Sequence, residues 1–148
     1  MKINILSLGR FKRNQPYKDI FEYYKKRIKI KINLLELKTY NTEKKKTLEK
    51  NEILKYINDG DFVITLDRAG DDLSSKDFSN IIKTNMDQGC KRIIFLIGSE
   101  EGLDNYFKKS FKTISFGNKT WPHLIIRIML IEQIYRAFEI MKNSQYHK

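Results

Sequence analysis

Cysteine and histidine are scarce in this sequence of 148 residues, which contains one cysteine and two histidines. Cys90 has no second cysteine with which to form an intramolecular disulfide, and no Cys/His cluster has the spacing of a metal site. We therefore expect no metal cofactor. Cys90 comes just before an apolar run, a position typical of a small buried residue.

Long apolar runs, linkers and repeats are also missing. No stretch approaches the roughly 20 apolar residues of a membrane span, and the first residues do not resemble a secretory signal. The chain has two prolines and no Pro/Ser-rich linker that would mark a boundary. We expect one domain comprising residues 1–148, large enough to fold alone, located in the cytoplasm and without contact with a membrane.

The common phosphate-binding motifs are absent as well. The segment Gly98 to Gly102 reads GSEEG, which has neither the GxGxxG spacing of dinucleotide folds nor the Lys-Ser/Thr of a P-loop. Its two glutamates also disfavour a bound phosphate. A nucleotide-binding enzyme that uses a phosphate loop is therefore the weaker of the α/β alternatives.

Positive charge is what the chain has in excess. Lys and Arg number 29 against 18 Asp and Glu, which gives a formal charge of +11 and a pI near 9.6. Such a surplus favours a polyanionic partner, because phosphate contacts release condensed counterions. Nucleic acid is the first hypothesis. The alternative is that a Lys-, Asn- and Ile-rich composition reflects biased codon usage.

Five short apolar runs alternate with helical patterns, which predicts an α/β fold with a parallel sheet. Helical spacing of apolar residues falls between the runs, at residues 17–29, 48–57, 76–87, 103–110 and 124–141. In the first of these helices, Ile20, Tyr23, Tyr24 and Ile28 form the expected inner face. The predicted strands are Lys2 to Leu8, Ile30 to Leu37, Asp61 to Leu66, Arg92 to Ile97 and Lys112 to Phe116.

The loops after the third, fourth and fifth strands form the predicted ligand site, because parallel sheets bind ligands at the carboxyl ends of their strands. Leu66 and Asp67 are candidates by position, although Asp67 fits a simple turn residue equally well. Glycine at 98 lets a ligand approach the backbone. The last loop contains Pro122, which is predicted to be the first residue of the final helix.

Two basic or aromatic features leave alternatives open. The segment Gly9 to Arg13 is a basic loop that either grips phosphate or is a solvated charge cluster. The tyrosines of the first helix either pack against the sheet or stack on bases, and packing is the commoner role. The run Lys44 to Lys46 is a solvated helix start or loop, with no chemistry assigned.

The last predicted helix is apolar on more than one face, so it must be buried on two sides. Its own sheet accounts for one side and a second subunit for the other, which predicts a homodimer. Glu132 and Arg136 are four residues apart, so they can form an intrahelical ion pair. Alternatively, Arg136 is left to bind RNA or the base of a bound nucleotide substrate. His147 lies in a terminal tail that a bound nucleotide could order.

These motifs together resemble one family over essentially the full chain. The segments are MKINILSLGR, VITLDRAG, FLIGSEEGL, TWPHLIIRIMLIEQIYRAF and the ending YHK. They are similar to those of the small SPOUT methyltransferases that modify N3 of pseudouridine 1915 in large-subunit ribosomal RNA. The most specific part is the Thr-x-Pro-His loop followed by the EQxYRAF helix and the Tyr-His-basic tail.

The resemblance implies a deep C-terminal trefoil α/β knot, an exception to the rule that chains do not thread. It also implies a homodimer and S-adenosylmethionine bound in the knot. The family's cofactor positions correspond here to Leu66, Gly98, Ser99, Gly117, Asn118, Lys119, Thr120, Trp121 and Pro122.

Three positions depart from the family pattern. The family usually has glycine where this chain has Ser99, leucine at Trp121, and in some members arginine at the final Lys148. Serine still offers its backbone amide and tryptophan an apolar wall for adenine, so we expect cofactor binding to be retained. Lys148 keeps the positive charge but lacks the paired N–H donors of an arginine guanidinium.

The resemblance implies a substrate in 23S rRNA, helix 69, within assembled ribosomes. Our hypothesis is that four residues surround the acceptor base: His123, Arg136, Tyr146 and His147. Arg136 would stabilise negative charge on the carbonyl oxygens, while His147 or water removes the N3 proton. Arg10, Lys12, Arg13 and the tail would contact RNA. A non-catalytic RNA-binding module with the same fold is the other reading.

Overall fold

A computed structural model describes residues 1–11 and 15–148 of the chain. Its five strands are β1 (Lys2–Leu8), β2 (Lys31–Leu37), β3 (Phe62–Asp72), β4 (Arg92–Ile97) and β5 (Lys112–Ser115). Its five helices are α1 (Gln15–Lys25), α2 (Lys45–Leu54), α3 (Ser75–Asp87), α4 (Asn105–Ser110) and α5 (His123–Met141). The predicted strands and helices are therefore all present; β1 and β4 have the predicted boundaries and the other elements have shifted ones.

The strands form one sheet in the order β2-β1-β4-β3-β5, and every neighbouring pair is parallel. The predicted parallel α/β fold is confirmed. Because all strands point the same way, the segments after β1, β3, β4 and β5 lie at one edge of the sheet. The predicted ligand loops are consequently neighbours in space.

Helices cover both faces of the sheet, so its central strands are buried. On one face α1, α3 and α5 pack through residues such as Phe21, Phe78 and Ile131. On the other face α2 and α4 contribute Ile53 and Phe107. Residues of β1 and β4 alternate between these two cores, and nearly all of them are inaccessible to solvent.

Two details of the α1 prediction were wrong. The helix begins at Gln15 and ends at Lys25, so Ile28 lies beyond it. Its buried residue is Phe21, whereas Ile20 and Tyr23 are 44% and 52% exposed. The inner face is rotated because Phe21 is the residue that reaches the core.

The third strand is longer than predicted. Its pairing with β5 places both Leu66 and Asp71 opposite Ile114, so the intervening residues bulge out of the ladder. A Cβ atom built on Gly70 would lie 2.7 Å from the backbone of Ile114. Only glycine can bring the chain back so closely beside β5.

Helix α3 begins at Ser75, one residue before the predicted start. The side chain of Ser74 accepts a hydrogen bond from the Asp77 amide and caps the helix. Pro122, in contrast, is the N-cap residue of α5 and not its first helical residue, with His123 beginning the helix. Lys44 likewise precedes α2 as its N-cap, and Lys45 and Lys46 lie in the first turn.

Within residues 1–11 and 15–148, no helix combines the length and apolar character needed to cross a membrane. The described part of the chain also has no group of three or more His, Cys, Asp or Glu side chains suited to hold a metal ion.

Candidate active site

A cavity of about 570 Å³ opens at the carboxyl ends of β3, β4 and β5. Its walls come from the three loops that the sequence singled out and from the start of α5. The predicted cofactor residues that line it are Leu66, Gly98, Ser99, Gly117, Lys119, Thr120 and Trp121, and His123 lies beside them. Asn118 and Pro122 do not line this cavity.

The turn after β4 is built around Gly98. A Cβ atom at this position would lie 2.7 Å from the carbonyl carbon of Gly102 and 2.8 Å from the Leu103 nitrogen. Ser99 and Gly102 form a one-residue bridge across the turn. The turn is therefore too narrow for any side chain at residue 98, and its backbone is held close to the cavity.

A lysine from the opposite face of the sheet holds this same turn. Lys46 Nζ donates to the carbonyl oxygens of Glu101, at 2.5 Å, and Gly102, at 2.8 Å. Lys45 adds an ion pair of 3.6 Å with Glu101. This contact was not predictable from the sequence, because a lysine 55 residues away from Glu101 has no periodic relation to the turn.

The bulge in β3 carries Asp67, whose role as a turn residue is visible. Its Oδ1 accepts the amide of Ala69 at 3.0 Å, and its Oδ2 lies 3.4 Å from Lys108 Nζ. Next to it, Arg68 donates to the Thr120 hydroxyl at 3.4 Å. The β3 and β5 loops are therefore joined by side chains across the cavity.

Trp121 forms part of the wall contributed by the β5 loop. Its indole N–H donates to the carbonyl of Phe116 at 3.2 Å, and the residue is 39% exposed. Ser115 Oγ donates to the Gly117 carbonyl at 2.8 Å. The hydrogen bonds orient a large apolar surface beside the cavity.

The residues present fit a ligand that combines apolar and polar groups. Apolar walls come from Leu66, Ile97, Ile114, Phe116 and Ile126. Ser99 Oγ is buried and has no hydrogen-bond partner among the described residues. An unsatisfied buried hydroxyl is costly unless a ligand or water completes it, so this loop is suited to bind a polar group of a ligand.

A second cluster lies along the second half of α5 and contains three of the four predicted catalytic residues. Glu132 Oε1 accepts from Arg136 Nη2 at 2.5 Å and from the Tyr146 hydroxyl at 2.9 Å. His147 Nδ1 lies 3.4 Å from Arg136 Nη1. The predicted ion pair between Glu132 and Arg136 is present, and the tail packs on the same side chains.

The tail of this cluster is also held by aromatic contacts. The ring of Tyr146 lies 4.9 Å from that of Tyr135 in an edge-on arrangement, and the Arg136 guanidinium lies 4.7 Å from its centroid. Burial and the hydrogen bond to Glu132 raise the pKa of Tyr146 above its usual value. Tyr146 therefore keeps its proton at neutral pH.

His123 is separated from the other three predicted catalytic residues. It lines the cavity at the start of α5, whereas Arg136 follows 13 positions later, about 20 Å along a helix. The described residues thus place a ligand cavity at the start of α5 and a polar cluster along its second half. A single chain does not bring all four side chains together.

Two residues of the predicted RNA-binding loop, Lys12 and Arg13, lie outside the described residues. Arg10, two residues before Lys12, is exposed at the same edge of the sheet as the cavity. Phe11 is buried against α1, where its ring lies 5.7 Å from Phe21.

An all-parallel sheet covered by helices on both faces, with a cavity at three strand ends, defines an α/β protein that binds its ligand through loops. The family described as "Predicted SPOUT methyltransferase" matches residues 1–147. The chain belongs to this SPOUT methyltransferase family.

Named relatives are similar over their whole length. A protein of Caldicellulosiruptor bescii is 37% identical over 99% of both chains, and one of Clostridium botulinum strain Kyoto is 38% identical over 100% of both. A third, from Caldicellulosiruptor saccharolyticus, is 36% identical over 99% of both chains. Each of these proteins is named "Ribosomal RNA large subunit methyltransferase H".

Proposed function

We propose that this protein transfers a methyl group from S-adenosylmethionine to N3 of pseudouridine 1915 in 23S rRNA helix 69, on assembled ribosomes. It acts in the cytoplasm as a homodimer of single, knotted domains comprising residues 1–148. The observation that carries the proposal is the cavity of about 570 Å³ between three strand-end loops. Family membership and the names of full-length relatives support it.

The donor is held by the three loops. When bound, S-adenosylmethionine supplies an electrophilic methyl group on a positively charged sulfur. Leu66 and Trp121 offer apolar surface to the adenine, and the Gly98 turn presents backbone amides and the unpartnered hydroxyl of Ser99. Gly117, Lys119 and Thr120 close the remaining side, with Asn118 and Pro122 setting the path of that loop.

The acceptor is held by side chains that orient it and remove its proton. N3 of a neutral pseudouridine carries a proton that must leave before or during attack, and in-line transfer requires close positioning. Arg136 donates hydrogen bonds to the carbonyl oxygens of the base and stabilises the negative charge that develops on them. His147 accepts the N3 proton directly or through water. Tyr146 donates a hydrogen bond from its hydroxyl to Glu132 Oε1 and so holds the tail around the acceptor base.

Two protomers are needed to assemble these groups. His123 lies about 20 Å along α5 from Arg136, so a tail from a second chain completes the site. An apolar depression of about 390 Å³ between α1, α3 and α5 supports this pairing. Its lining includes Ile20, Tyr24, Ile128 and Met129.

The test is methyl transfer to ribosomes that lack this modification. Tritiated methyl groups from S-adenosylmethionine should appear in 23S rRNA, and a helix 69 in which uridine replaces the acceptor should remain unlabelled. Cofactor binding is measured separately by calorimetry. A protein that binds ribosomes but releases no heat with S-adenosylmethionine would instead be a non-catalytic RNA-binding module.

A further inference from the structure

Arg127 is a fully buried arginine that joins the last helix to the end of the first strand. Its Nη1 lies 3.2 Å from Glu36 Oε2. Its Nη2 donates to the carbonyl oxygens of Gly9, at 2.8 Å, and Leu8, at 3.3 Å. One side chain therefore connects α5, β2 and the segment that follows β1.

Glu36 holds the same segment from the other side. Its Oε2 also accepts the backbone amide of Phe11 at 2.6 Å. The guanidinium of Arg127 lies 4.8 Å from the centre of the Phe11 ring. The segment Gly9 to Phe11 is thus fixed at both ends by one ion pair, while Arg10 between them is exposed.

The fixed segment touches a residue of the candidate active site. His123 comes one helical turn before Arg127, so both project from the same face of α5. A Cβ atom built on Gly9 would lie 3.7 Å from His123 Nε2 and 3.8 Å from Arg127 Nη2. Gly9 has a φ of +89°, which favours glycine at this close approach.

The position of the segment in the sheet gives it a separate role from the donor loops. The cavity is built from loops after β3, β4 and β5, and β1 is the neighbour of β4 on the remaining side. The Gly9 to Phe11 segment is therefore the next strand-end wall beside His123. Arg10 on this wall is a cation suited to a phosphate of bound RNA.

Stability alone does not account for this ion pair, in which Arg127 is fully buried and the side chain of Glu36 is 30% exposed. Burial lowers the pKa of Arg127, and the charge of Glu36 opposes that change. Apolar residues of similar volume often replace a buried ion pair without loss of stability. What they cannot replace is the fork of donors that fixes two carbonyls and a carboxylate in one arrangement.

We propose that Arg127 and Glu36 are a positioning pair that holds the Gly9 to Phe11 segment against His123 and so aligns the RNA-facing wall of the site. The inference rests on the proposed function for its RNA substrate. It assigns to this wall the binding of the RNA backbone through Arg10 and leaves the donor to the other three loops.

The test compares Arg127→Lys and Glu36→Gln with a matched control. Lysine at residue 127 retains the positive charge but lacks the several N–H donors of the guanidinium. Glutamine at residue 36 removes the negative charge. The control is Arg92→Lys, because Arg92 also binds a carboxylate, Asp61, and a backbone carbonyl, at the opposite edge of the sheet. All are full-length dimers, assayed for cofactor binding and for ribosome methylation.

Both test variants should raise the KM for ribosomes about tenfold, which corresponds to about 1.4 kcal/mol of lost binding. Their affinity for S-adenosylmethionine should stay within about twofold of the wild type. Arg92→Lys should lower the melting temperature but leave both values unchanged. An equal rise in KM in the control, or a parallel loss of cofactor affinity, would overturn the proposal.

Two further measurements separate this proposal from the function on which it rests. Hydrogen exchange at the Phe11 amide should rise in Glu36→Gln even without any substrate, and an unchanged amide would refute the positioning role. Arg10→Ala alters an exposed residue and leaves the Arg127–Glu36 pair intact, so it tests the wall even if the other variants do not fold. An unchanged KM for ribosomes in Arg10→Ala would contradict the assignment, whereas absence of methylation in the wild type would contradict the proposed function itself.

Discussion

The Tyr146 hydroxyl donates a hydrogen bond of 2.9 Å to Glu132 Oε1, the same oxygen that accepts from Arg136. This shared acceptor ties the C-terminal tail to α5 and places His147 beside the Arg136 guanidinium. The hydrogen bond gives Tyr146 a defined position even though this residue lies only two residues before Lys148. Several outcomes of mutation and pH depend on it.

Tyr146→Phe should remove one hydrogen bond and lower the free energy of unfolding by about 0.5 kcal/mol at neutral pH, because the ring is partly exposed. The pKa of Tyr146 is raised in the folded protein. Its protonated form therefore contributes full stability below the unfolded pKa of about 10, and that contribution is lost as pH rises above it. Urea unfolding at pH 7, 9 and 10.5 measures the difference, which should persist to pH 9 and diminish at pH 10.5.

His147→Ala should reduce single-turnover methylation about 10- to 100-fold if His147 takes the N3 proton. Cofactor affinity should remain close to that of the wild type, since the donor loops lie at the other end of α5. Gln145→Ala is the control, because this exposed tail residue is adjacent to the cluster. Rapid-quench assays at saturating ribosomes give the rate, and an unchanged rate would remove His147 from the proton transfer.

Gly98→Ala should distort the turn after β4, because the added Cβ would lie 2.7 Å from the carbonyl carbon of Gly102. We expect affinity for S-adenosylmethionine to fall at least about tenfold, or about 1.4 kcal/mol. Gly89→Ala is the matched control. Gly89 is favoured by its φ of +75° and not by a close contact, since no atom lies within 4 Å of the added carbon.

The control should lose stability without losing cofactor affinity. Calorimetric titration gives the dissociation constant for each variant, and thermal unfolding gives the stability. Equal affinities for Gly98→Ala and Gly89→Ala would show that the Gly98 turn does not contact the donor.

The periodic part of the fold was readable from the sequence. β1 and β4 have the predicted boundaries, because uninterrupted apolar runs bounded by glycine are typical of buried parallel strands. The three cavity loops were also predictable, since strand ends fix their location. Trp121 and Ser99 line the cavity for the same reason.

The contacts that shape the site were not readable in the same way. Arg127 meets Glu36 across 91 residues, and Lys46 meets Gly102 across 56. No local period encodes such pairs. In α1, a one-residue rotation moved Ile20 and Tyr23 to the surface, because several apolar residues compete for the inner face and only packing selects Phe21.

Asp61→Asn should change the acid stability of the protein. Although burial alone would raise the pKa of Asp61, its hydrogen bonds with Arg92 and the Asn58 amide hold it below its usual value. The ionised pair therefore stabilises the fold above the unfolded pKa of about 4, and its contribution is lost as pH falls through the lower, folded value.

The free energy of unfolding of the wild type should exceed that of Asp61→Asn by about 2 kcal/mol at pH 7, because the side chains of Asp61 and Arg92 are both largely buried. The difference should shrink only below about pH 4. Equilibrium unfolding in urea from pH 3 to pH 7 gives the profile. Asp87→Asn, at the last residue of α3, is the control for removing an aspartate carboxylate elsewhere in the chain.

Mixed dimers should reveal whether the tail acts on its own chain or on the partner. The distance of about 20 Å along α5 between His123 and Arg136 favours the partner. Gly98→Ala disables the donor loop and His147→Ala disables the tail, so both sites of either homodimer are defective. After equal mixing and subunit exchange, half of the dimers are mixed, and a tail acting on the partner restores one site in each. Activity should return to about a quarter of the wild-type value, whereas a tail confined to its own chain leaves every site defective and restores none.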